Sequence, residues 1–310
     1  MSEQIREALQ RLNASGNPAE ALSLADEVER TCTEQSFSDK DLGYVTSLLA
    51  GDGQSLIAFL KKSITTDQLK DAKAKGLCIL TGWFERVPSQ LLNHALAIKD
   101  VSCQLLFRDK AAKVRCAALV LLSKVLEACK GTSVCDRLDV SNLVERMFML
   151  LSQPSKLTPT IKEEILCVLG VAAQCHPDAT RPYQDKLLTL YLTELQRVCS
   201  VKEKNVVAGC LQGLSGYLFH FGTSFEDDPD NCFKLFKSVK RALTPSDKPA
   251  RYDIPRAGLI LLSKHAALFG QLLLDDYRSL YQQLGHWSRH GNRELRSLGT
   301  AALESFLREV

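Results

Sequence analysis

The stretch RDKAAKVRCAALVLLSKVL, from Arg108 to Leu126, is the clearest indication of the fold of this 310-residue chain. Its apolar residues recur at offsets of 0, 3, 4, 7, 8 and 11, which is the spacing of one helix face. The pattern therefore predicts an α-helix that buries one side against its neighbours. The predicted face consists of Val114, Ala117, Ala118, Leu121, Leu122 and Val125.

The same helical pattern returns along the chain. Its last copy is ELRSLGTAALESFLREV at residues 294–310, and other copies begin near residues 74, 161, 207 and 258. Similar helices that recur every ~40–50 residues, with another helix between copies, are typical of HEAT-type repeats. We therefore predict an all-α fold without β-sheet, a HEAT-type α-solenoid in which antiparallel helix pairs stack into a superhelix.

Turn residues suggest where the repeats begin and end. Residues 1–43 are predicted to be an irregular N-terminal helical segment, broken at Gly16, Asn17 and Pro18 and again near Ser36. Residues 44–310 are predicted to hold about six HEAT-like units. Because the sequence ends inside a repeat helix without a polar capping unit, we expect the array to be truncated at its C-terminus. The expected units are 44–88, 91–130, 138–178, 183–222, 229–270 and 272–310.

The charge is unevenly distributed, although the formal net charge is only +3. The first 60 residues contain ten acidic and four basic side chains, so the remaining 250 residues carry +9. Such an asymmetry is compatible with an anionic partner for the later part of the chain. For the charge distribution alone, a solvated, mildly basic surface is the simpler interpretation.

The cysteines and the apolar runs indicate in which cellular compartment the protein is found. The 11 cysteines are odd in number and lack CxxC spacing, and Cys116, Cys167 and Cys210 fall on predicted core faces. Buried thiols in a reducing compartment explain this pattern better than disulfides or a zinc site. No N-terminal apolar segment is present, and no run approaches the ~20 apolar residues of a membrane span. We expect a soluble intracellular protein with no membrane partner.

No catalytic constellation is visible in the sequence. P-loop, GxGxxG, GxSxG and HExxH motifs are all lacking, and the six histidines are scattered. His265 falls on an apolar helix face and is expected to be a core histidine. The segment 208–216 places Gly209, Gly213 and Gly216 inside a helix, which predicts close approach of a neighbouring helix. We expect no catalytic residue, no metal site and no cofactor in this chain.

Basic clusters are the one positive functional signal. Residues 99–130 carry seven basic against three acidic side chains, and residues 234–264 carry eight against two. Basic side chains on stacked turns could follow a phosphate backbone without selecting bases. Alternatively, a lysine or arginine near the start of a repeat's second helix serves local packing. The residues alone leave both interpretations open.

At these same residues the chain resembles a particular family. RDKAAKVRCAALVLL, AGCLQGLSGYL, EDDP at 226–229, RYDIPRAGLILLSKHAALFGQLLLDDYRSLY and ELRSLGTAALESFLREV keep their order and spacing. Together they resemble the N-terminal HEAT region of the DNA-dependent protein kinase catalytic subunits, in the phosphatidylinositol-3-kinase-like kinase family. The resemblance runs from about Tyr44 to Val310 and is dense after Val206.

The resemblance implies a function for the chain. It implies an N-terminal HEAT arm of a serine/threonine protein kinase that contributes to binding DNA ends and the Ku heterodimer. The process would be double-strand break repair by non-homologous end joining, in the nucleus. The implied partners are duplex DNA ends, Ku and the rest of the same kinase polypeptide. ATP and Mg²⁺ would belong to the kinase domain, which this chain lacks, so the chain itself is not expected to be an enzyme.

The resemblance also implies which side chains contact DNA. The family's N-terminal arm uses basic residues near DNA, and the matching motifs here supply Arg108, Lys110, Lys113, Arg115, Arg251 and Arg256. We interpret these as candidate phosphate contacts. The alternative function is a HEAT-repeat adaptor or scaffold that binds only protein and no nucleic acid.

Overall fold

The computed structural model describes residues 2–34, 37–197, 204–225, 228–245 and 252–310. Within these ranges the chain is almost entirely helical and forms no β-strand, so the predicted all-α fold is confirmed. Short 3₁₀ turns join several helices. The α-helices are α1 Ser2–Ala14, α2 Pro18–Glu34, α3 Asp39–Ala50, α4 Leu56–Lys62, α5 Lys70–Arg86, α6 Pro88–Leu91, α7 Ala95–Arg108, α8 Ala112–Cys129, α9 Val140–Leu151, α10 Pro159–Cys175, α11 Pro177–Thr180, α12 Gln184–Arg197, α13 Lys204–Phe221, α14 Pro229–Leu243, α15 Asp253–His265, α16 Gly270–Asp275, α17 Tyr277–Trp287 and α18 Arg293–Glu309.

The first of two compact units spans Met1–Asp139. Helices α2, α5 and α8 lie side by side in one layer, while α1, α3, α4 and α7 form a second layer against them. The predicted break at Gly16, Asn17 and Pro18 coincides with the turn between α1, which ends at Ala14, and α2, which begins at Pro18. Ser36, near the second predicted break, lies outside the described residues. Both α1 and α2 are regular helices that bury apolar faces within this unit. The position at which the repeats begin, residue 44, stays a prediction.

The second compact unit spans Val140–Val310 and has the same two-layer construction. Helices α10, α13, α15 and α18 pack in sequence as one layer. Helices α9, α12, α14 and α17 pack on their respective partners from the other side. Each unit is therefore a stack of helix pairs, as the solenoid prediction requires.

The helix faces lie where the periodicity predicts them. In α8, Val114, Ala118, Leu121, Leu122 and Val125 are each fully buried. Ala117 is only half-buried because it stands at the edge of the face. In α18, Leu295, Gly299, Ala302 and Phe306 are buried, whereas Leu298 and Leu303 are half-buried and Val310 follows the end of the helix and is exposed.

The glycines of α13 permit a close contact between two helices, as predicted. A Cβ on Gly213 would lie 2.5 Å from the Leu166 carbonyl oxygen of α10, and one on Gly209 would lie 2.7 Å from the Glu163 carbonyl oxygen. Neither position has room for a side chain. The Tyr191 hydroxyl closes the contact by donating to the Leu166 carbonyl at 2.9 Å.

One helical stretch, Asp253–Asp275, is long and apolar enough to cross a membrane by length and composition alone. The expectation that no run approaches span length is therefore wrong on that criterion. The stretch is not one continuous α-helix, because a 3₁₀ turn separates α15 from α16 and Gly270 has a φ of +35°. Since α15 packs between α13 and α18, it behaves as a core helix of the second unit.

Candidate nucleic-acid interface

The turn between α7 and α8 carries most of the predicted phosphate contacts. Helix α7 ends at Arg108, and Asp109 adopts an extended conformation that turns the chain into α8. The Asp109 Oδ1 atom accepts a hydrogen bond from the Ala111 backbone N–H at 2.8 Å. Its Oδ2 atom accepts from Lys73 Nζ of α5, and both side chains of this ion pair are essentially inaccessible to solvent. A buried charge pair thus fixes the turn to the preceding repeat.

Arg115 stabilises the same turn from the other side. Its side chain is buried, and its Nε donates to the Leu106 carbonyl at 2.9 Å. Burial lowers the pKa of this guanidinium below its usual value. Because this bond satisfies one of the carbonyl groups at the end of α7, the geometry favours the local-packing interpretation for Arg115.

The other three side chains of the turn face solvent. Arg108 is exposed and has no ion-pair partner among the residues that the structure describes. The Lys110 side chain is 83% exposed and lies 3.2 Å from Asp67 Oδ2. Lys113 is half-exposed and pairs with Asp71. Arg108, Lys110 and Lys113 are defined below as the α8 basic turn.

The acidic partners leave this surface positive. The exposed groups at the starts of α5 and α8 are four basic side chains, the α8 basic turn and Lys70, against only Asp67 and Asp71. Exposed ion pairs of this kind contribute only about 0–1 kcal/mol each. A phosphate can therefore displace an aspartate from Lys110 or Lys113 at little cost.

The remaining two predicted contacts lie elsewhere in the chain. Arg256 is at the start of α15 in the second unit, where its Nε lies 2.5 Å from Glu294 Oε1 of α18. Arg251 lies outside the described residues. The structure therefore brings Arg108, Lys110, Lys113 and Arg115 together at one turn, whereas Arg256 belongs to a separate surface.

The two residues that anchor the turn, Lys73 and Asp109, were not among the predicted site residues. Lys73 follows Ala72 and stands one helical turn before Gly76 and Leu77, which places it on the apolar face of α5. A lysine on such a face needs a buried acidic partner. That spacing was the available signal, but it does not identify Asp109 as the partner.

The cysteine thiols and the imidazole of His265 take no part in the candidate interface. Every described cysteine is a free thiol, and burial raises the pKa of Cys129 to about 11 and that of Cys32 to about 12. The expected core histidine, His265, is partly buried, with Nε2 2.9 Å from the Ser215 carbonyl oxygen. These groups are built into the packing of the helices.

The two stacks of helix pairs define a helical-repeat protein of the all-α solenoid class, with an exposed basic turn in its first unit. The chain belongs to the family described as "DNA-PKcs, N-terminal", whose model matches residues 43–310. The match is therefore to the N-terminal region of the DNA-dependent protein kinase catalytic subunits and not to their catalytic domain.

Several curated proteins similar to this chain are DNA-dependent protein kinase catalytic subunits. The DNA-dependent protein kinase catalytic subunit of Xenopus laevis is 32% identical over 301 residues, which are 96% of this chain and 7% of that protein. The subunit of Mus musculus is 33% identical over 268 residues, 85% of this chain and 6% of that protein. That of Dictyostelium discoideum is 29% identical over 302 residues. The chain therefore spans less than a tenth of the length of these relatives.

Proposed function

We propose that this chain is a DNA-contacting helical arm of a nuclear serine/threonine protein kinase that acts in non-homologous end joining. Within that role, the α8 basic turn contacts the phosphates of a duplex DNA end, and the arm assembles with the Ku heterodimer. The observation that supports this most is the exposed positive surplus on a turn fixed by buried charges. Membership of a family named for a DNA-dependent kinase supports the choice of ligand.

The chemistry of the turn suits phosphate better than bases. Arg108 ends α7, Lys110 lies in the turn and Lys113 lies in the first turn of α8. Charges presented in this way neutralise phosphates and release counterions, which gives binding that is independent of base sequence. Because Lys73, Asp109 and Arg115 hold the turn, little ordering entropy is lost on binding.

The test compares two triple variants of the full chain with equal loss of charge. One is Arg108→Ala/Lys110→Ala/Lys113→Ala, and the control is Lys40→Ala/Lys61→Ala/Lys62→Ala, which are also exposed residues of the first unit. We expect the first variant to bind a fluorescent blunt duplex about a hundredfold more weakly, from ~1 kcal/mol for each of three ion pairs in water. The control should bind within about threefold of the wild type. Equal losses in both variants would contradict a localised phosphate site.

The Ku contribution is tested separately. The chain is added to purified Ku on a blunt duplex, and its binding to the Ku–DNA complex is compared with its binding to DNA of equal length. We expect tighter binding to the complex than to DNA alone. Equal affinities would contradict the assignment of Ku as a partner.

A protein-binding adaptor remains the second candidate, since one specific observation favours it. Lys110, Lys113 and Arg256 each pair with an acidic side chain of the neighbouring repeat, as expected for charges that serve packing. An adaptor would not bind the fluorescent blunt duplex measurably at about 0.1 M salt. The affinity measurement above therefore separates the two functions.

A further inference from the structure

A cavity of about 370 Å³ lies between α2 and α5 in the first unit. It follows α5 over about two turns, which is roughly 12 Å along the helix axis. Ligand sites in proteins usually have volumes of about 300–1,000 Å³, so this cavity has room for one bulky side chain. Its lining consists of Glu29, Cys32 and Thr33 of α2 and Cys78, Ile79, Gly82, Trp83 and Arg86 of α5.

The floor of the cavity is apolar and held in place. Ile79 and Trp83 are buried, and Trp83 Nε1 donates to the Thr46 hydroxyl at 2.9 Å. Gly82 leaves the middle of the cavity open, because a Cβ at this position would meet nothing within 4 Å. One turn earlier in α5, Cys78 is the exposed thiol among the cysteines that the structure describes. An apolar side chain can therefore enter over Gly82 and lie against the buried floor.

Arg86 closes one end of the cavity and is engaged within the fold. Its Nη1 atom donates to the Cys32 carbonyl oxygen at 2.7 Å, which satisfies a carbonyl near the end of α2. Its guanidinium lies 5.3 Å from the ring centroid of Phe37 and 5.5 Å from that of Trp83, at distances typical of cation–π contacts. The positive charge of Arg86 is thus committed to contacts of the first unit.

The other end of the cavity is acidic. Lys75 Nζ lies 2.7 Å from Glu29 Oε2 and 3.1 Å from Asp26 Oδ1, so one ammonium group faces two carboxylates. Both carboxylates remain partly exposed to solvent. Helix α2 as a whole carries five acidic residues and one basic residue. The surface beside the cavity therefore favours a cation over an anion.

We propose that the cavity between α2 and α5 docks a basic peptide segment of a partner protein. One aromatic or leucine side chain of the segment occupies the cavity, and flanking lysine or arginine side chains meet Asp26 and Glu29. An anchor side chain buried in a pocket supplies much of the energy of such interfaces, and the charges select against acidic segments.

The site does not rest on the proposed DNA contact. It shares no residue with the α8 basic turn, whose lysines pair with Asp67 and Asp71 at the opposite end of α5. Loss of duplex binding in the α8 basic-turn variant therefore leaves peptide docking untouched, and the reverse also holds.

The experiment uses the full chain and a fluorescent pentapeptide in which tryptophan is flanked on each side by arginine and lysine. Two comparison peptides replace the tryptophan by glycine, or the four basic residues by glutamate. Gly82→Leu fills the cavity with a side chain that favours helix. Gly43→Leu is the matched control, because Gly43 is also an exposed helical glycine of the first unit with open space at its Cβ position. Thermal unfolding establishes that each variant retains the fold.

We expect the tryptophan peptide to bind the wild type at least about tenfold more tightly than either comparison peptide, because only it combines an anchor with positive charge. Gly82→Leu should weaken this binding at least about tenfold, and Gly43→Leu should leave it within about twofold. Equal affinity of Gly82→Leu and the wild type would overturn the proposal. So would equal binding of the acidic peptide, or no measurable binding of the tryptophan peptide at about 1 mM.

Two further variants test the carboxylates. Asp26→Asn/Glu29→Gln should weaken binding of the tryptophan peptide about threefold or more, as expected for partly exposed charge pairs. The control Glu3→Gln/Glu7→Gln removes two exposed carboxylates of α1 and should change it less than about twofold. Equal effects of the two double variants would indicate attraction by the overall negative charge and would overturn docking at this cavity.

The Cys78 thiol locates the bound peptide. Saturating tryptophan peptide should slow alkylation of Cys78 by N-ethylmaleimide at least about threefold, because the anchor lies one turn away, over Gly82. An unchanged rate would place the peptide elsewhere and overturn the proposal. Tryptamine bound as tightly as the peptide would indicate a small-molecule site instead. Self-association of the wild type that Gly82→Leu abolishes in sedimentation would assign the cavity to a second copy, which also contradicts the proposal.

Discussion

Lys73 of α5 donates to Asp109 at the end of α7, and neither side chain of this pair is accessible to solvent. The pair connects two successive repeats of the first unit at the point where the candidate DNA-contacting turn begins. Because Asp109 also accepts from the Ala111 N–H, the carboxylate determines the path of the chain into α8. The stability of the fold and the positions of Arg108 and Lys110 therefore depend on the same buried ion pair.

Breaking this pair should be costly. Lys73→Met or Asp109→Ala leaves the other charge buried without a partner, and each should lower the free energy of unfolding by about 3–5 kcal/mol. The double variant Lys73→Met/Asp109→Leu should recover much of the loss, since no unpaired charge remains. Denaturant titration measures all three. A loss below about 1 kcal/mol in the single variants, as for an exposed pair, would contradict the burial of the ion pair.

The apolar face of α8 makes a second prediction. Leu121 is fully buried, so Leu121→Ala should reduce the free energy of unfolding by about 2–5 kcal/mol. Lys124→Ala should cost less than about 1 kcal/mol, because Lys124 makes only part-exposed ion pairs with Glu85 and Glu127. Similar costs for the two variants in denaturant titrations would show that the helix face is wrongly assigned.

The close contact between α10 and α13 leads to a third prediction. Gly213→Ala should destabilise the chain by about 1–3 kcal/mol, because the new Cβ meets the backbone of α10. The control is Gly82→Ala in α5, where a Cβ meets nothing within 4 Å. That change should stabilise by up to about 1 kcal/mol through helix propensity. A neutral Gly213→Ala in thermal or denaturant unfolding would mean that the two helices are farther apart.

His265 makes the stability depend on pH. Burial lowers its pKa in the folded chain, so below the usual value of about 6.5 the unfolded chain binds a proton that the folded chain does not. The free energy of unfolding should therefore fall as the pH is lowered from about 7 to 5. His265→Gln should flatten this dependence, as followed by denaturant midpoints across that range. An unchanged slope in the variant would assign the pH dependence to other groups.

The fold was predictable from the sequence because helix burial follows periodicity. Leu121 and Leu122 are buried at the positions that a 3.6-residue repeat requires, and the glycines of α13 indicated a close helix contact before any partner was known. The repeat spacing makes α10 the expected neighbour of α13, but the individual contacts of Gly213 with Leu166 and Tyr191 could not be predicted. Periodicity gives a helix its buried face and its place in the stack but not its atomic contacts.

The candidate site was only partly predictable for a related reason. Arg108, Lys110, Lys113 and Arg115 look equivalent in the sequence, yet Arg115 is buried and the other three are exposed. The difference arises because Arg115 follows Val114 at the edge of the buried face and reaches the carbonyl of Leu106. Which of several basic residues is left free to meet a ligand depends on such tertiary contacts.

The salt dependence of duplex binding tests the proposed phosphate contacts themselves. The slope of log K against log salt concentration is measured with a blunt duplex for the wild type and for Arg108→Ala/Lys110→Ala/Lys113→Ala. Each lost phosphate contact should reduce the magnitude of the slope by about 0.9, or about 2.7 for all three. The Lys40, Lys61 and Lys62 control should keep the wild-type slope. An identical slope in the α8 basic-turn variant would mean that these side chains do not meet phosphate, and would contradict the proposed role of the turn.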